Sequence, residues 1–407
     1  MSKIEELIEK LCPNGVEFKK LEEITKSINI GINPRKFFKL NPADSTGFYV
    51  TVRELNGLRG VKEYEKTDKI NDEAIQIINN RANIEKGDIL FSNTGTVGKL
   101  ALVNETPTNW GVNEGIYIIK PIEEKILSKY LYYYLDSSHA YKDYSSKFTG
   151  STLKHVTQKA LASLIVAVPP LDVQCEIVHI LDDFTLLSAE LSAELKARQK
   201  QYEYYKGKLL TFSTKNNNIQ WTTLGTYCKR LKGTAITASK MKEIADDNGN
   251  IRIFAGGKTM INTNKSNIPD KDIIKVPNII VQSRGIIDFI YYDKPCSFKR
   301  EMWSYTAENI ITLKFIYYYL KKNIEYFRQR GSQMGSMPQI SLNITEKYKI
   351  PLLTIDEQGR IVNILDRFDK LCNDISEGLP AEIEARQKQY EYYRDKLLTF
   401  KELKVNE

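Results

Sequence analysis

The chain has 407 residues, with 59 Lys+Arg against 51 Asp+Glu and a formal net charge of +8. That length predicts two or three globular units, and a content of 42% hydrophobic and 10% aromatic residues excludes wholesale disorder. No apolar run approaches the roughly 18 residues of a membrane span, and the amphipathic opening Met1-Ser2-Lys3-Ile4-Glu5-Glu6 lacks a signal-peptide core, so a cytoplasmic location is expected.

A short helix opens the chain over residues 1–16, with Ile4, Leu7, Ile8 and Leu11 on one face. Residues 17–169 form a mixed segment with candidate strands at 48–52, 87–91, 100–103 and 116–119. A tyrosine-rich helix over 128–135, a Gly150-Ser151 turn and a proline boundary at Val168-Pro169-Pro170-Leu171 complete it. Residues 170–212 read as one long helix. Residues 213–351 are a second mixed segment, with candidate strands at 251–255, 278–282, 286–292 and 309–313. It closes in the same way: a tyrosine-rich helix over 314–320, a Gly331-Ser332 turn, and Ile350-Pro351-Leu352. Residues 352–407 form the second long helix.

The two long helices are copies. Residues 197–212 and 385–400 agree at 14 of 16 positions, differing only at Lys206/Arg394 and Gly207/Asp395. Upstream, Ile177-Val178-His179-Ile180-Leu181-Asp182 matches Ile361-Val362-Asn363-Ile364-Leu365-Asp366. Apolar and aromatic residues recur at steps of three and four: Ile177, Leu181, Phe184, Leu191, Leu195, Tyr202, Tyr205 and Leu209 in the first copy. In the second they are Ile361, Leu365, Phe368, Ile375, Ile383, Tyr390, Tyr393 and Leu397. This is a coiled-coil seam. At about 1.5 Å per residue, some 39 residues span roughly 58 Å, too long for one compact domain, so the helices are expected to pack on each other as spacers. Two successive steps of four around Leu379, with Gly378 and Pro380, predict a break, with Pro380 in the first turn of a restarted helix.

Charge follows the same division. The mixed segments carry +3 and +11, whereas the three helical segments carry −1, −2 and −3. A basic bias confined to two similarly laid-out globules points to two sites for a polyanion. Catalytic signatures are lacking. Gly95-Thr96-Val97-Gly98-Lys99 is followed by Leu100 rather than Ser or Thr, and Ala255-Gly256-Gly257-Lys258-Thr259 lacks the leading glycine of a phosphate loop. Pro269-Asp270-Lys271-Asp272 crowds its carboxylates too closely for a nuclease core. Three scattered histidines and five scattered cysteines offer no metal-ligand spacing, so no metal and no catalytic residue is expected.

These residues resemble the specificity subunit of type I restriction–modification systems. The resemblance rests on Pro170-Leu171 through Gln174 and its partner Thr354-Ile355-Asp356-Glu357-Gln358, on the repeated Ala-Arg-Gln-Lys-Gln-Tyr-Glu-Tyr-Tyr blocks at 197 and 385, and on the run from Gly87 to Gly98. The openings at 11–21 and 219–225 also fit, and nearly the whole chain is covered. The resemblance implies an α+β chain of two mixed α/β target recognition domains separated by two long antiparallel coiled-coil helices in a pseudo-two-fold arrangement. The expected domains are an N-terminal helix (1–16), recognition domain 1 (17–169), a central spacer helix (170–212), recognition domain 2 (213–351) and a distal spacer helix (352–407). The N-terminal helix is expected near the end of the distal helix.

The implied function is non-catalytic. Each domain reads half of a bipartite double-stranded DNA target, while the helices set the spacing and dock two modification (methyltransferase) subunits. Restriction subunits join the complex, and S-adenosylmethionine, ATP and Mg belong to the partners. Base-reading residues vary by design, so the resemblance transfers none individually; candidates come from loops joining Gly/Ser turns to basic or amide residues. In the first domain these are Arg35, Lys36, Ser92, Asn93, Thr94, Lys147, Ser151, Thr152 and Lys154. In the second they are Lys232, Lys258, Arg284, Arg300, Arg328, Arg330, Ser332, Gln333 and Gln339. The rival readings are a helical scaffold that binds only proteins, and a stand-alone nuclease or methyltransferase.

Overall fold

The β-branched runs of the first mixed segment build two sheets. β2 (Thr25–Ile30), β8 (Ile116–Pro121), β5 (Ile89–Ser92) and β6 (Leu100–Leu102) pair antiparallel in the order β2-β8-β5-β6. β3 (Gly47–Val50) lies between β4 (Lys69–Ile70) and β7 (Trp110–Val112), antiparallel to the first and parallel to the second. β1 (Glu17–Lys20) and β9 (Ile165–Val168) form a ribbon joining the start of this globule to its end. Alternation along β5 feeds two cores. Ile89 and Phe91 pack with the tyrosine-rich helix α3 (Ser128–Leu135), and Leu90 packs beneath the helix α2 (Asp72–Ala82). Both faces are covered, so the strand reads as a continuous apolar run. α2 starts where Asn71 accepts a hydrogen bond from Ala74 N. α4 (Ser138–Ser146) and α5 (Gln158–Ala162) complete the globule, and α1 (Lys3–Leu11) precedes it.

The structure, a computed structural model, describes residues 3–34, 37–150, 153–213, 219–257, 259–334 and 337–403. The second mixed segment repeats the topology. Its four-stranded sheet runs β11 (Lys229–Lys232), β17 (Trp303–Thr306), β14 (Asn278–Gln282), β15 (Asp288–Tyr292). Its three-stranded sheet places β12 (Ile251–Phe254) between β13 (Met260–Thr263) and β16 (Cys296–Phe298), again with one antiparallel and one parallel neighbour. β10 (Gln220–Thr223) pairs with β20 (Lys349–Leu352) as the closing ribbon. A hairpin of β18 (Ser332–Met334) and β19 (Met337–Gln339) is added. The helices here are α7 (Leu224–Tyr227), α8 (Ala238–Glu243), α9 (Ile310–Lys322), α10 (Ile324–Gln329) and α11 (Leu342–Glu346).

One expected strand is a helix. Residues 309–313 belong to α9, where Asn309 caps the first turn by accepting a hydrogen bond from Thr312 N. The β-branched run Ile310-Ile311-Thr312 is overridden by the cap and by burial of Thr312, Leu313 and Phe315. The strand of this neighbourhood is β17, just upstream.

α6 (Leu171–Leu209) is a single helix of 39 residues, matching the expected length. Its repeat is split into α12 (Ile355–Asn373) and α13 (Leu379–Leu397). Asp374 makes the break, with its carboxylate accepting from Ser376 N and Glu377 N. Gly378 is required there, because a Cβ would fall 2.5 Å from Lys370 O and 2.6 Å from Asp374 O. Pro380 occupies the first turn of α13, as the spacing predicts. The seam assignment of Ile375 is corrected: it lies in this turn, outside any helix, with 81% of its surface exposed.

The chain forms two units, Met1–Glu190 with Ile383–Glu407, and Leu191–Glu382. In the first, Ile177 and Leu181 of α6 are buried with Leu398 against the globule, partly buried Tyr390 and Leu397 pack on the same core, and Phe184 stacks on Tyr393 at 5.6 Å. Both chain ends meet here. Val16 N donates to Lys401 O (2.9 Å) and Leu403 N donates to Val16 O (2.8 Å). Leu7 and Ile8 pack on the same core as Leu397 and Phe400. Leu11 is exposed and Cys12 is buried in its place, because the chain turns there. The side chain of Ile4 lies outside those described.

In the second unit, Ile361, Val362 and Leu365 of α12 share a core with Tyr202, Leu209 and Leu210 of α6. Tyr202 and Tyr205 stack on Phe368 at 6.0 and 5.7 Å, and Arg198 lies near Cys372, so the two helices run antiparallel. Leu191, Leu195 and Ile383 are half-buried.

Candidate nucleic-acid interface

Each globule is mounted on its long helix through the same polar contacts. Asp182 accepts a hydrogen bond from Tyr133 OH (2.7 Å) and pairs with Lys129 (2.5 Å). Asp366 accepts from Tyr318 OH (2.6 Å) and pairs with Lys314 (2.7 Å). Burial and the adjacent carboxylates push Tyr133 and Tyr318 above the usual phenol range. Buried Gln174 donates to Lys125 O and Pro169 O and accepts from Leu127 N. Gln358 donates to Leu353 O. The repeat already relates Asp182 to Asp366 and carries these glutamines in its flanking motifs, but their contacts were not legible from the sequence.

At the C-terminal end of β5 the chain turns through Ser92–Gly98. Buried Ser92 donates to Thr96 O and accepts from Lys99 N. Buried Asn93 donates to Glu114 O, so both candidates hold the turn in shape. The turn pairs with residues 154–156: Gly95 N donates to Lys154 O (2.9 Å), Val156 N to Asn93 O (3.0 Å), and Thr94 Oγ1 meets His155 Nδ1 at 2.9 Å. The structure thus brings the Ser92–Thr94 and Lys147–Lys154 candidates together. Lys147 is paired with Asp143, and exposed Lys154 lies over the Phe148 ring.

The second globule builds the same register. Gly285 N donates to Pro338 O (2.9 Å), Ile340 N to Ser283 O (3.0 Å), and Arg284 is bridged to Gln339. Gly95 and Gly285 take the same left-handed conformation, φ 75° and 74°, which a side chain would strain. Thr94 and His155 therefore correspond to Arg284 and Gln339. A third loop joins, with Gly257 N donating to Arg284 O and Gln282 Nε2 donating to Gly257 O. Arg328 donates to Ile287 O and pairs with Glu325, and the Arg330 guanidinium lies 3.6 Å above the Tyr326 ring.

Lys232 and Arg300 fall elsewhere, in a cleft of about 510 Å³ that Arg230, Lys271, Asp272 and Trp303 also line. Arg230 and Lys271 escaped the sequence reading; their signal was membership of the +11 segment. Arg35, Lys36, Ser151, Thr152 and Lys258 lie outside the described residues, as do the side chains of Ser332 and Gln333. Among the described residues no cluster of His, Cys, Asp or Glu is placed to hold a metal ion, and no helix is long and apolar enough to cross a membrane.

Twin α/β globules, each carrying a loop cluster whose polar side chains differ between the two and each mounted on a repeated helix, describe a two-part recognition protein. The family profile of the type I restriction modification DNA specificity domain matches twice, over residues 13–198 and 222–385. The specificity subunit of the Escherichia coli type I restriction enzyme EcoR124I/EcoR124II is 35% identical over 299 residues, spanning 68% of this chain and 72% of that one. A putative type I restriction enzyme specificity subunit of Haemophilus influenzae is 28% identical over 417 residues, 97% of this chain and 98% of its own. The fold matches the crystal structure of an S subunit from M. genitalium, with a TM-score of 0.56 at 16% identity over 94% of this chain and 96% of that chain. It also matches a chain solved in work on complex assembly and conformational transition of the type I R-M system (TM-score 0.58, 18% identity, 95% and 98% covered). The chain belongs to the type I restriction–modification DNA specificity family. It is a non-catalytic DNA-recognition subunit.

Proposed function

We propose that each globule reads one half of a bipartite DNA target, with the loop cluster at the end of β5 or β14 facing the bases. The observation that carries this reading is the duplicated loop register. Identical backbone bonds hold different side chains at equivalent tips: Thr94 and His155 in one globule, Arg284 and Gln339 in the other. A guanidinium and an amide suit bidentate contact with base edges in the major groove, whereas a hydroxyl and an imidazole select differently. The basic cleft at Arg230, Lys232, Lys271 and Arg300 suits phosphates, which position the duplex without reading it.

The repeated helices act as a spacer fixing the distance between half-sites. They also offer the same surface twice to two modification subunits, which carry S-adenosylmethionine. Restriction subunits bring ATP and Mg. The domain limits are 17–169 and 213–351, with spacers at 170–212 and 352–407.

Duplex affinity of the chain assembled with its modification subunit tests this reading. The logarithm of affinity should fall steeply and linearly with the logarithm of salt concentration. Arg284→Ala should weaken binding by about 1–3 kcal/mol and relax sequence preference, whereas Lys271→Ala should weaken all duplexes equally. Absence of duplex binding, with partner binding intact, would favour the protein-only scaffold instead.

A further inference from the structure

The repeated 16-residue block differs at only two positions, Lys206/Arg394 and Gly207/Asp395. In the first unit these two residues grip the globule. Arg394 Nη1 pairs with Asp136 at 2.7 Å, and its Nε meets Asp395 at 3.1 Å. Asp395 accepts from Ser138 N (3.1 Å) and from the Ser138 hydroxyl (2.5 Å). That puts a carboxylate at the start of α4, where free backbone N–H groups and the helix dipole favour negative charge. Arg394 itself is buried.

In the second unit the corresponding block is held by its apolar residues. Tyr202 and Leu210 are buried as Leu398 is in the first unit, but Lys206 pairs with Glu203 of its own helix at 2.5 Å and Gly207 presents no side chain. The globules differ at the matching places. Lys129 and Tyr133 bind Asp182 just as Lys314 and Tyr318 bind Asp366, which sets Asp136 in register with Lys321 and Ser138 with Asn323. Lys321 is paired within its own globule, with Asp288 at 2.6 Å.

We infer that Arg394 and Asp395, together with Asp136 and Ser138, form a pairing code that distinguishes two otherwise interchangeable helix blocks and assigns the C-terminal block to the first globule. This rests on geometry inside each unit and is independent of the DNA-reading proposal. Seated on the second globule, the C-terminal block would bring Arg394 towards Lys321 and strip it of Asp136, leaving only Asp395 of its own block. Seated on the first globule, the 197–212 block would offer Gly207 where Ser138 needs an acceptor. The misassembly excluded is an exchanged one, in which a block from a second copy of this chain takes the wrong seat. Repeated elements within one chain make such exchange an easy route to unwanted oligomers.

The test uses the full-length chain. Labelled (¹⁵N) and unlabelled protein are mixed, briefly denatured, refolded and analysed by native mass spectrometry for heavy–light dimers. R394K/D395G, which makes the blocks identical, should raise the exchanged fraction about tenfold or more over wild type, the ratio that charge-assisted hydrogen bonds command. D136N, which alters the code from the globule side, should raise it too and guards against misfolding of the double variant. Leu398→Ala loosens the same docking through an apolar contact common to both blocks; it should lower the melting temperature with far less exchange. Equal exchange at equal loss of melting temperature would reduce Arg394 and Asp395 to ordinary stabilising residues and overturn the code. So would wild-type levels of exchange in both code variants.

Discussion

The two globules share a frame and differ in what it carries. Strand order, the parallel pair within the smaller sheet, the closing ribbon and the tyrosine–aspartate mount are the same in both. Net charge (+3 against +11), the residues at the loop tips and the polar grip on the repeated block are not. Everything held constant is backbone pairing, buried apolar contact or a tether to a long helix. What varies is the side chains projecting from that frame, together with local elements such as the β18–β19 hairpin. A protein that must change its target while keeping its assembly separates these two classes of residue, because the frame tolerates substitution only where no buried contact is lost.

Core truncation should give the largest effect and treat the units alike. Leu181 and Leu365 occupy matching positions and are fully buried. Either changed to Ala should cost about 2–5 kcal/mol in denaturant unfolding. A loss confined to one of the two would break the equivalence.

The glutamine tethers should sharpen it. The buried Gln174 side chain makes three hydrogen bonds, whereas that of Gln358 makes one and its Oε1 has no partner. Gln174→Ala should therefore destabilise by about 1–3 kcal/mol, and Gln358→Ala by less, since stranded buried groups set the cost. Equal losses would contradict the difference in contacts.

The smallest effect belongs to Asp395 and depends on pH. Burial works against its charge, but hydrogen bonds from Ser138 and the neighbouring Arg394 hold its carboxyl below the usual carboxylate range. A depressed acid stabilises the fold above its unfolded pKa and loses that contribution as pH falls through the folded value. Asp136 works with the opposite sign, since burial raises it against the pull of Arg394, so its ionisation opposes folding as pH rises. The stability deficit of Asp395→Asn should be full at neutral pH and fade below about pH 4. A deficit independent of pH would assign the residue a packing role.

Much of this was legible in the sequence because the long helices repeat almost verbatim. A 3.6-residue pattern survives in sequence as a seam, and the glycine–proline break shows itself by composition. The strands of the first globule were found where both faces are buried, as at Ile89 and Ile118. The shared layout of the globules showed in their tyrosine-rich helices, Gly-Ser turns and proline boundaries, but their residue-level register was hidden, since it lies in backbone bonds such as Gly95 to Lys154 and Gly285 to Pro338, which place no demand on side-chain identity. The 309–313 run was misread because local β-propensity is weaker than an Asn cap backed by tertiary burial. Ile375 was misread because apolar spacing alone does not show where a helix stops.

Modular reading of a bipartite target is tested most directly by replacing residues 213–351 with the second recognition domain of another family member, assembling the chimera with its modification subunits and mapping the methylated sequence. One half of the target should change, with the other half and the spacing retained. A change in both halves, or in neither, would contradict it.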